Sequence, residues 1–344
     1  MWKWTKPVLI SIPIALVGTA LAGVIYQCAA TRSELAATPA PGRLVDIGGH
    51  RLHLWCVGDG EPTVLLETGL GGSTADWGFV QPDVARFTRV CSYDRAGTGY
   101  SDPGSSPRTA QRIARELAQL LDGSGIDGPI VVVAASIGGY SARMFASEFK
   151  DRVAALVLLD ASHENQEHSV PRLARFVPLL STVGVLRLAG ISFGLPPDEL
   201  EPSVRKFAVA TRFRSSAQRT TANEIMHVRQ SAAQVAGARH KLTVPVIVVT
   251  GGRGADAAWL GLQRDLAELS QRGCHIILEQ SGHTIAVENP GAVVMAIRTA
   301  VAAARRQEHS IVRCQSGEWQ RTQAGQDDRD SVSLNANAVR HQQP

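Results

Sequence analysis

The sequence predicts an α/β fold: a mostly parallel β-sheet with helices on both faces, interrupted once by a helical insertion. Three observations predict it. Short, apolar, β-branched runs alternate with helical patterns through the middle of the chain, as expected for strands buried on both faces. One run leads into a lone serine, then small residues, then a helix. A long stretch without strand character, about residues 161–242, breaks the alternation.

In chain order, residues 1–30 open with Lys3 and Lys6 and then run apolar from Val8 to Ala30. That run is about 23 residues, and a helix needs roughly 20 to cross a bilayer. The positive charges precede it, which places the N-terminus in the cytoplasm and the remainder outside. A cleaved signal peptide is the competing reading, because Ala20-Leu21-Ala22 has the small-x-small form of a cleavage site. The apolar run continues past that point, which favours an anchor. Both readings put the rest of the chain outside the cytoplasm. Residues 31–42 (TRSELAATPAPG) read as a Pro/Ala linker.

Strands are expected at 51–57, 63–67, 88–93, 130–135, 153–159, 244–250 and 275–279, and helices at 108–122, 138–149, 257–271 and 291–305. An insertion after a strand's C-terminal end lies over the ligand crevice of an α/β sheet, so residues 161–242 read as a cap. Its segment Phe176–Leu195 is strongly apolar. Lining a substrate pocket is the favoured reading, with membrane contact or plain cap core as alternatives. Residues 305–344 hold few large apolar side chains and read as a flexible tail. The chain thus comprises an anchor or signal, a linker, one α/β domain over 43–304 and the tail.

Composition bounds the function. The chain has 344 residues, 44% hydrophobic and 19% charged, which excludes global disorder. Lys+Arg minus Asp+Glu is 35 − 31 = +4, too small a surplus to point to nucleic acid. No phosphate loop or dinucleotide fingerprint is present, since Gly69-Leu70-Gly71-Gly72 lacks the G-x-G-x-x-G spacing, and no cofactor is expected. His163 and His168 are five residues apart, about 140° around a helix, so they do not grip one metal ion from one face. The five cysteines show no C-x-x-C spacing. Cys56 and Cys91 both fall in expected strands; a bridge and two buried thiols are equally compatible with that.

The most informative segment is Val131-Val132-Val133-Ala134-Ala135-Ser136-Ile137-Gly138-Gly139-Tyr140. A sharp strand-to-helix turn leaves the Ser136 hydroxyl exposed at the sheet's end, and small flanking residues let strand and helix approach. This is the nucleophile elbow, usually G-x-S-x-G, here with Ala134 in place of the first glycine. An oxyanion needs two N–H donors. Ile137, directly after the serine, supplies one. Leu70, in Thr68-Gly69-Leu70-Gly71-Gly72 after an early strand, is the candidate for the other. The general base belongs after the last strand, where Gln280-Ser281-Gly282-His283 places His283.

On these motifs the chain resembles the α/β-hydrolase superfamily over about residues 43–304. Tyr93-Asp94-Arg95-Ala96-Gly97-Thr98-Gly99-Tyr100-Ser101 looks like the family's D-R-x-G-x-G-x-S turn. Gly282-His283 with Glu288-Asn289-Pro290 looks like its G-H…E-N-P ending. The resemblance implies an eight-stranded sheet with the second strand antiparallel and a cap after the sixth strand. Asp94 and Arg95 are expected to form a buried structural pair near the oxyanion loop.

The triad acid departs from the family pattern. It usually follows strand seven as G-x-x-D, but Asp256 in Gly251-Gly252-Arg253-Gly254-Ala255-Asp256 comes one or two residues late and suits a helix N-cap. Asp160, ending strand six, is the alternative and is slightly favoured, because some family branches carry their acid there. The expected activity is serine hydrolysis of an acyl bond, a carboxylic ester by default, through an acyl-enzyme. A catalytically silent hydrolase fold that binds a small molecule is the second reading. Partners expected are a small-molecule acyl substrate and a membrane.

Overall fold

A computed structural model of the chain describes residues 5–192 and 202–306. Its sheet has eight strands: β1 (Arg43–Asp46), β2 (Arg51–Val57), β3 (Val64–Glu67), β4 (Val90–Tyr93), β5 (Ile130–Ala135), β6 (Val153–Leu159), β7 (Val246–Gly251) and β8 (Gly273–Leu278). They lie in the order β1-β2-β4-β3-β5-β6-β7-β8. β2 runs antiparallel to both β1 and β4, and the other pairs are parallel. Seven strands were legible as apolar runs. β1 was not, because it is a four-residue edge strand that buries only Val45.

The helices are α1 (Thr5–Ala37), α2 (Gln81–Val84), α3 (Ala110–Ser124), α4 (Gly138–Glu148), α5 (Val177–Thr182), α6 (Val185–Leu188), α7 (Pro202–Arg212), α8 (Ser215–Met226), α9 (Val228–Gly237), α10 (Ala257–Ala267), α11 (Ile285–Glu288) and α12 (Pro290–Arg306). Alternation of side chains along the strands feeds two cores. Val132, Ala134, Leu156 and Leu158 face α3, α4 and α9. Val131, Val133, Val157 and Val249 face α2 and α12. The central strands are buried on both sides, which is why they read as unbroken apolar runs.

Within residues 161–242, residues 161–171 are irregular, and a 3₁₀ turn at Arg172–Phe176 is followed by α5 to α9. Of these, α9 packs with α3 and α4 on one face of the sheet, and α8 reaches the carboxyl end of β4, where Glu224 pairs with Arg95. The apolar segment Phe176–Leu195 is described only to Ser192; much of it faces outward rather than into a pocket, with Phe176, Leu179, Val185, Leu188 and Ile191 all exposed.

The expected linker is shorter than its composition implied. α1 continues through Glu34-Leu35-Ala36-Ala37, good helix formers, and stops before Pro39. Thr38 closes it, its hydroxyl donating to the Glu34 carbonyl at 2.6 Å. Among the described residues, α1 is the one helix long and apolar enough to cross a membrane. Of the expected tail, Arg305 and Arg306 complete α12, and residues 307–344 lie outside the described residues. Cys56 and Cys91 are register partners in β2 and β4 and are joined by a disulfide.

Candidate active site

The connection from β3 leads outward to β4, and that from β5 leads the other way to β6. The crevice between adjacent strands whose connections diverge is where open α/β sheets bind ligands. Register places Glu67 beside Ala134 and Leu159 beside Ala135. Thr68-Gly69, Ser136 and Asp160 therefore emerge side by side at the carboxyl ends of three neighbouring strands.

Ser136 occupies the left-handed region at φ 51°. Its amide donates to the Leu159 carbonyl at 3.0 Å, and its own carbonyl accepts from Ser162 at 2.9 Å and Gly139 at 3.0 Å. The bend is thus tied to β6 and to the first turn of α4. Gly138 is required by close approach: a Cβ there would lie 2.4 Å from the Thr68 carbonyl oxygen. A glycine at position 134 is not required, since Ala134 packs fully buried in the core.

His283 reaches the serine from the loop after β8. Its Nε2 lies 3.0 Å from Ser136 Oγ and its Nδ1 lies 2.6 Å from Asp160 Oδ2. An ionised carboxylate only accepts, so Nδ1 carries the proton and Nε2 is left to accept the serine O–H. The hydrogen bond to Asp160 holds the His283 pKa above the ordinary histidine value, against the opposing effect of desolvation. Glu288 fixes the loop, accepting from the Gly282 amide at 2.8 Å and the Thr284 hydroxyl at 2.7 Å, and pairing with Arg253. Asn289 caps α12 by accepting from the Ala292 amide at 3.1 Å. The E-N-P ending is therefore a brace for the histidine loop.

Of the two carboxylates read as acid candidates, the structure brings Asp160 to His283. Asp160 also sits at positive φ, 40°, with its amide donating to the Val249 carbonyl at 2.7 Å. Asp256 is elsewhere engaged: it is the N-cap of α10, its Oδ1 accepting from the Trp259 amide at 2.7 Å. This corrects the reading of Asp256 as a triad acid. Trp259, which sequence reasoning missed, donates its indole N–H to Asp160 Oδ1 at 2.9 Å. Asp256 thus serves the site indirectly, by starting the helix that delivers Trp259.

Leu70 follows Gly69, and Gly69 abuts the serine: a Cβ on it would lie 3.4 Å from Ser136 Cβ. The amides of Leu70 and Ile137 bond no acceptor among the described residues. The loop that carries Leu70 is held from beneath by Arg95, whose guanidinium donates to the Thr68 and Gly69 carbonyls at 2.7 Å each. Arg95 is also paired with Glu67 at 2.5 Å and, bidentately, with Glu224 of α8 at 3.0 Å, all three being buried.

Asp94 and Arg95 are both buried beside the loop that carries Leu70, as expected, but they do not pair with each other. Successive side chains near a strand end diverge. Asp94 turns to His53 at 2.7 Å and to the amides of Thr74 at 2.7 Å and Tyr100 at 2.9 Å. Gly99 belongs to that same turn, at φ 47° with no room for a Cβ against the Asp94 carboxylate. His163 and His168 are also separated in their partners, the first bonding Asp265 at 2.7 Å and the second Tyr140 at 2.8 Å.

Comparison with known proteins agrees with this architecture. Residues 62–242, just over half of the chain, match the alpha/beta hydrolase fold family. An uncharacterised protein of Schizosaccharomyces pombe is 26% identical over 306 residues, which is 76% of this chain and 55% of the relative. The chain thus spans about half the length of that relative. The 2-hydroxy-6-oxo-2,4-heptadienoate hydrolase of Pseudomonas putida is 35% identical over 123 residues, 35% of this chain and 44% of that one. Among solved structures, a thermophilic esterase from Thermogutta terrifontis superposes with a TM-score of 0.59 at 22% identity, covering 77% of this chain and 99% of the esterase.

Proposed function

The chain belongs to the α/β-hydrolase fold family, and on that premise we propose that it is a serine hydrolase cleaving an acyl bond, by default a carboxylic ester. The observation that carries this reading is the unbroken chain of hydrogen bonds from Ser136 through His283 to Asp160.

Ser136 Oγ attacks the substrate carbonyl carbon while His283 Nε2 takes the hydroxyl proton. Asp160, oriented by Trp259, keeps the imidazole in the tautomer that accepts this proton and stabilises the imidazolium. The amides of Leu70 and Ile137 hydrogen-bond the oxygen as negative charge develops on it. The imidazolium returns its proton to the leaving alcohol, which departs and leaves an acyl-serine. Water, deprotonated by His283, attacks that ester, and the carboxylic acid and free serine are released. No further group enters the sequence. α1 holds the enzyme in a membrane, with the hydrolase domain on the extracytoplasmic side, where the Cys56–Cys91 disulfide persists.

A fluorophosphonate probe tests the reaction directly. The wild-type chain is expected to be labelled covalently, and Ser136→Ala to lose the label while keeping its thermal unfolding midpoint. An unlabelled but folded wild type would favour a silent, ligand-binding use of the fold.

A further inference from the structure

Among the described residues, large exposed apolar side chains are confined to two places, apart from Leu44 in β1 and Ile277 in β8, one at each edge of the sheet. The first place is α1. The second is the stretch from the 3₁₀ turn through α6 to Ile191, where Leu173, Phe176, Leu179, Val185, Leu188 and Ile191 are all exposed, Leu173 by 73% and Leu188 by 69%. So many exposed apolar side chains in 19 consecutive positions of a cap mark a surface that meets an apolar partner.

This hairpin packs against α1. A Cβ at Gly23 would lie 2.3 Å from the Val183 carbonyl oxygen, and Gly184 lies against Tyr26 and Gln27. One helical turn further on the contact becomes polar. Arg187 donates to Gln27 at 2.9 Å and to Thr31 at 3.0 Å, and pairs with Glu34. The Gln27 amide donates to the Phe213 carbonyl at 2.7 Å.

We infer that the α5–α6 hairpin of the cap docks on the outer leaflet of the bilayer that α1 spans. This rests on the anchoring reading of α1. Twenty residues from Val8 to Gln27 rise about 30 Å, the thickness of the hydrocarbon layer. The polar cluster at Gln27, Thr31 and Glu34 then marks where the helix leaves it. Gly23, where the hairpin is seated, is four residues back, about 6 Å inside that boundary. That is the depth, roughly 5–10 Å, at which apolar faces of interfacial segments are buried. Charge fits as well. Arg187 is taken up by α1, but Arg172 and Arg175 are exposed and residues 171–192 hold neither Asp nor Glu, so the patch suits lipid phosphates at its rim.

The test uses the full chain in phosphatidylcholine–phosphatidylglycerol vesicles. The free Cys28 is replaced by Ser, and a single nitrobenzoxadiazole probe is placed by Leu188→Cys, Leu179→Cys, Val17→Cys or Ile277→Cys, each variant checked for an unchanged thermal midpoint. Probes at 188 and 179 are expected to show blue-shifted emission and to be quenched most by shallow doxyl-lipids. The probe at 17, near the middle of the span, is quenched most by deep ones, and the probe at 277 by neither. Water-like emission at 188 and 179 with quenching retained at 17 would overturn the docking and leave the anchor intact. Loss of quenching at 17 as well would remove the anchor and the docking together. Blue-shifted probes at 188 and 179 that ignore doxyl-lipid would mean that protein, such as a second copy, covers the patch, and would also overturn the inference.

Discussion

Ser136 and Asp160 are the two non-glycine residues at positive φ among those described, and each ends a central strand. Such a conformation costs about 1–3 kcal/mol and persists where the surroundings over-determine it. Here the backbone of each is bonded to the next strand over, Ser136 to Leu159 and Asp160 to Val249. The strain aims two side chains of adjacent strands at one histidine. Asp160→Asn is expected to lower kcat for ester hydrolysis by about 10⁴-fold, the scale for a lost triad acid. Asp256→Asn is expected to leave kcat near wild type, because asparagine caps a helix as well as aspartate does. Equal losses in the two variants, measured on the same ester, would contradict this assignment. The pH profile follows from His283. In the proposed mechanism the neutral imidazole is the base, and Asp160 raises its pKa, so kcat/KM is expected to rise with pH along a limb centred above the ordinary histidine value of about 6.5. In the residual activity of Asp160→Asn that limb is expected to move to lower pH, since the carboxylate that favours the imidazolium is gone. At this scale Ser136 and His283 were legible because their neighbours in sequence are also their neighbours in space. Trp259 was not: its indole reaches Asp160 across 99 positions of chain, and nothing local marks it.

The elements are coupled through buried charge. Arg95, after β4, holds the Thr68 and Gly69 carbonyls of the loop that carries Leu70, while Glu224 reaches it from α8. Cap and loop thus share one guanidinium. Breaking a buried ion pair by removing one partner costs about 3–5 kcal/mol, because the remaining charge loses its compensation. Glu224→Ala is expected to fall toward the lower end, since Glu67 still pairs with Arg95. The denaturant midpoint reports the loss, and an unchanged midpoint would show that the cap docks without this pair. Strands β2, β5 and β6 could be read from sequence to the residue, because burial on their faces imposes apolar side chains. The extension of α1 to Ala37 could not, because Pro/Ala-rich composition suits both a linker and a helix end until Arg187 is seen to engage Gln27, Thr31 and Glu34. The expected Asp94–Arg95 pair failed for a related reason: adjacency in sequence says little about which neighbours two diverging side chains meet.

Across the whole molecule, the Cys56–Cys91 disulfide joins the antiparallel strands β2 and β4. Closing a loop with a sequence separation of 35 stabilises the fold by roughly 2–4 kcal/mol, chiefly by restricting the unfolded chain. The double variant Cys56→Ser/Cys91→Ser is therefore expected to unfold at lower denaturant while its folded fraction still takes the fluorophosphonate label; an unchanged midpoint would remove the bridge from the stability of the fold. The sequence by itself determined the α/β class, the place of the insertion in the chain, a serine at the turn after β5, a histidine after β8 and the long apolar helix. Each is a local pattern, imposed by burial, by a sharp turn or by length. Tertiary structure alone decided which aspartate faces the histidine, which arginine holds the Thr68 and Gly69 carbonyls and where α5 and α6 meet α1. Those are contacts between segments far apart in the chain, and strand register, which no local pattern encodes, is what brings them together.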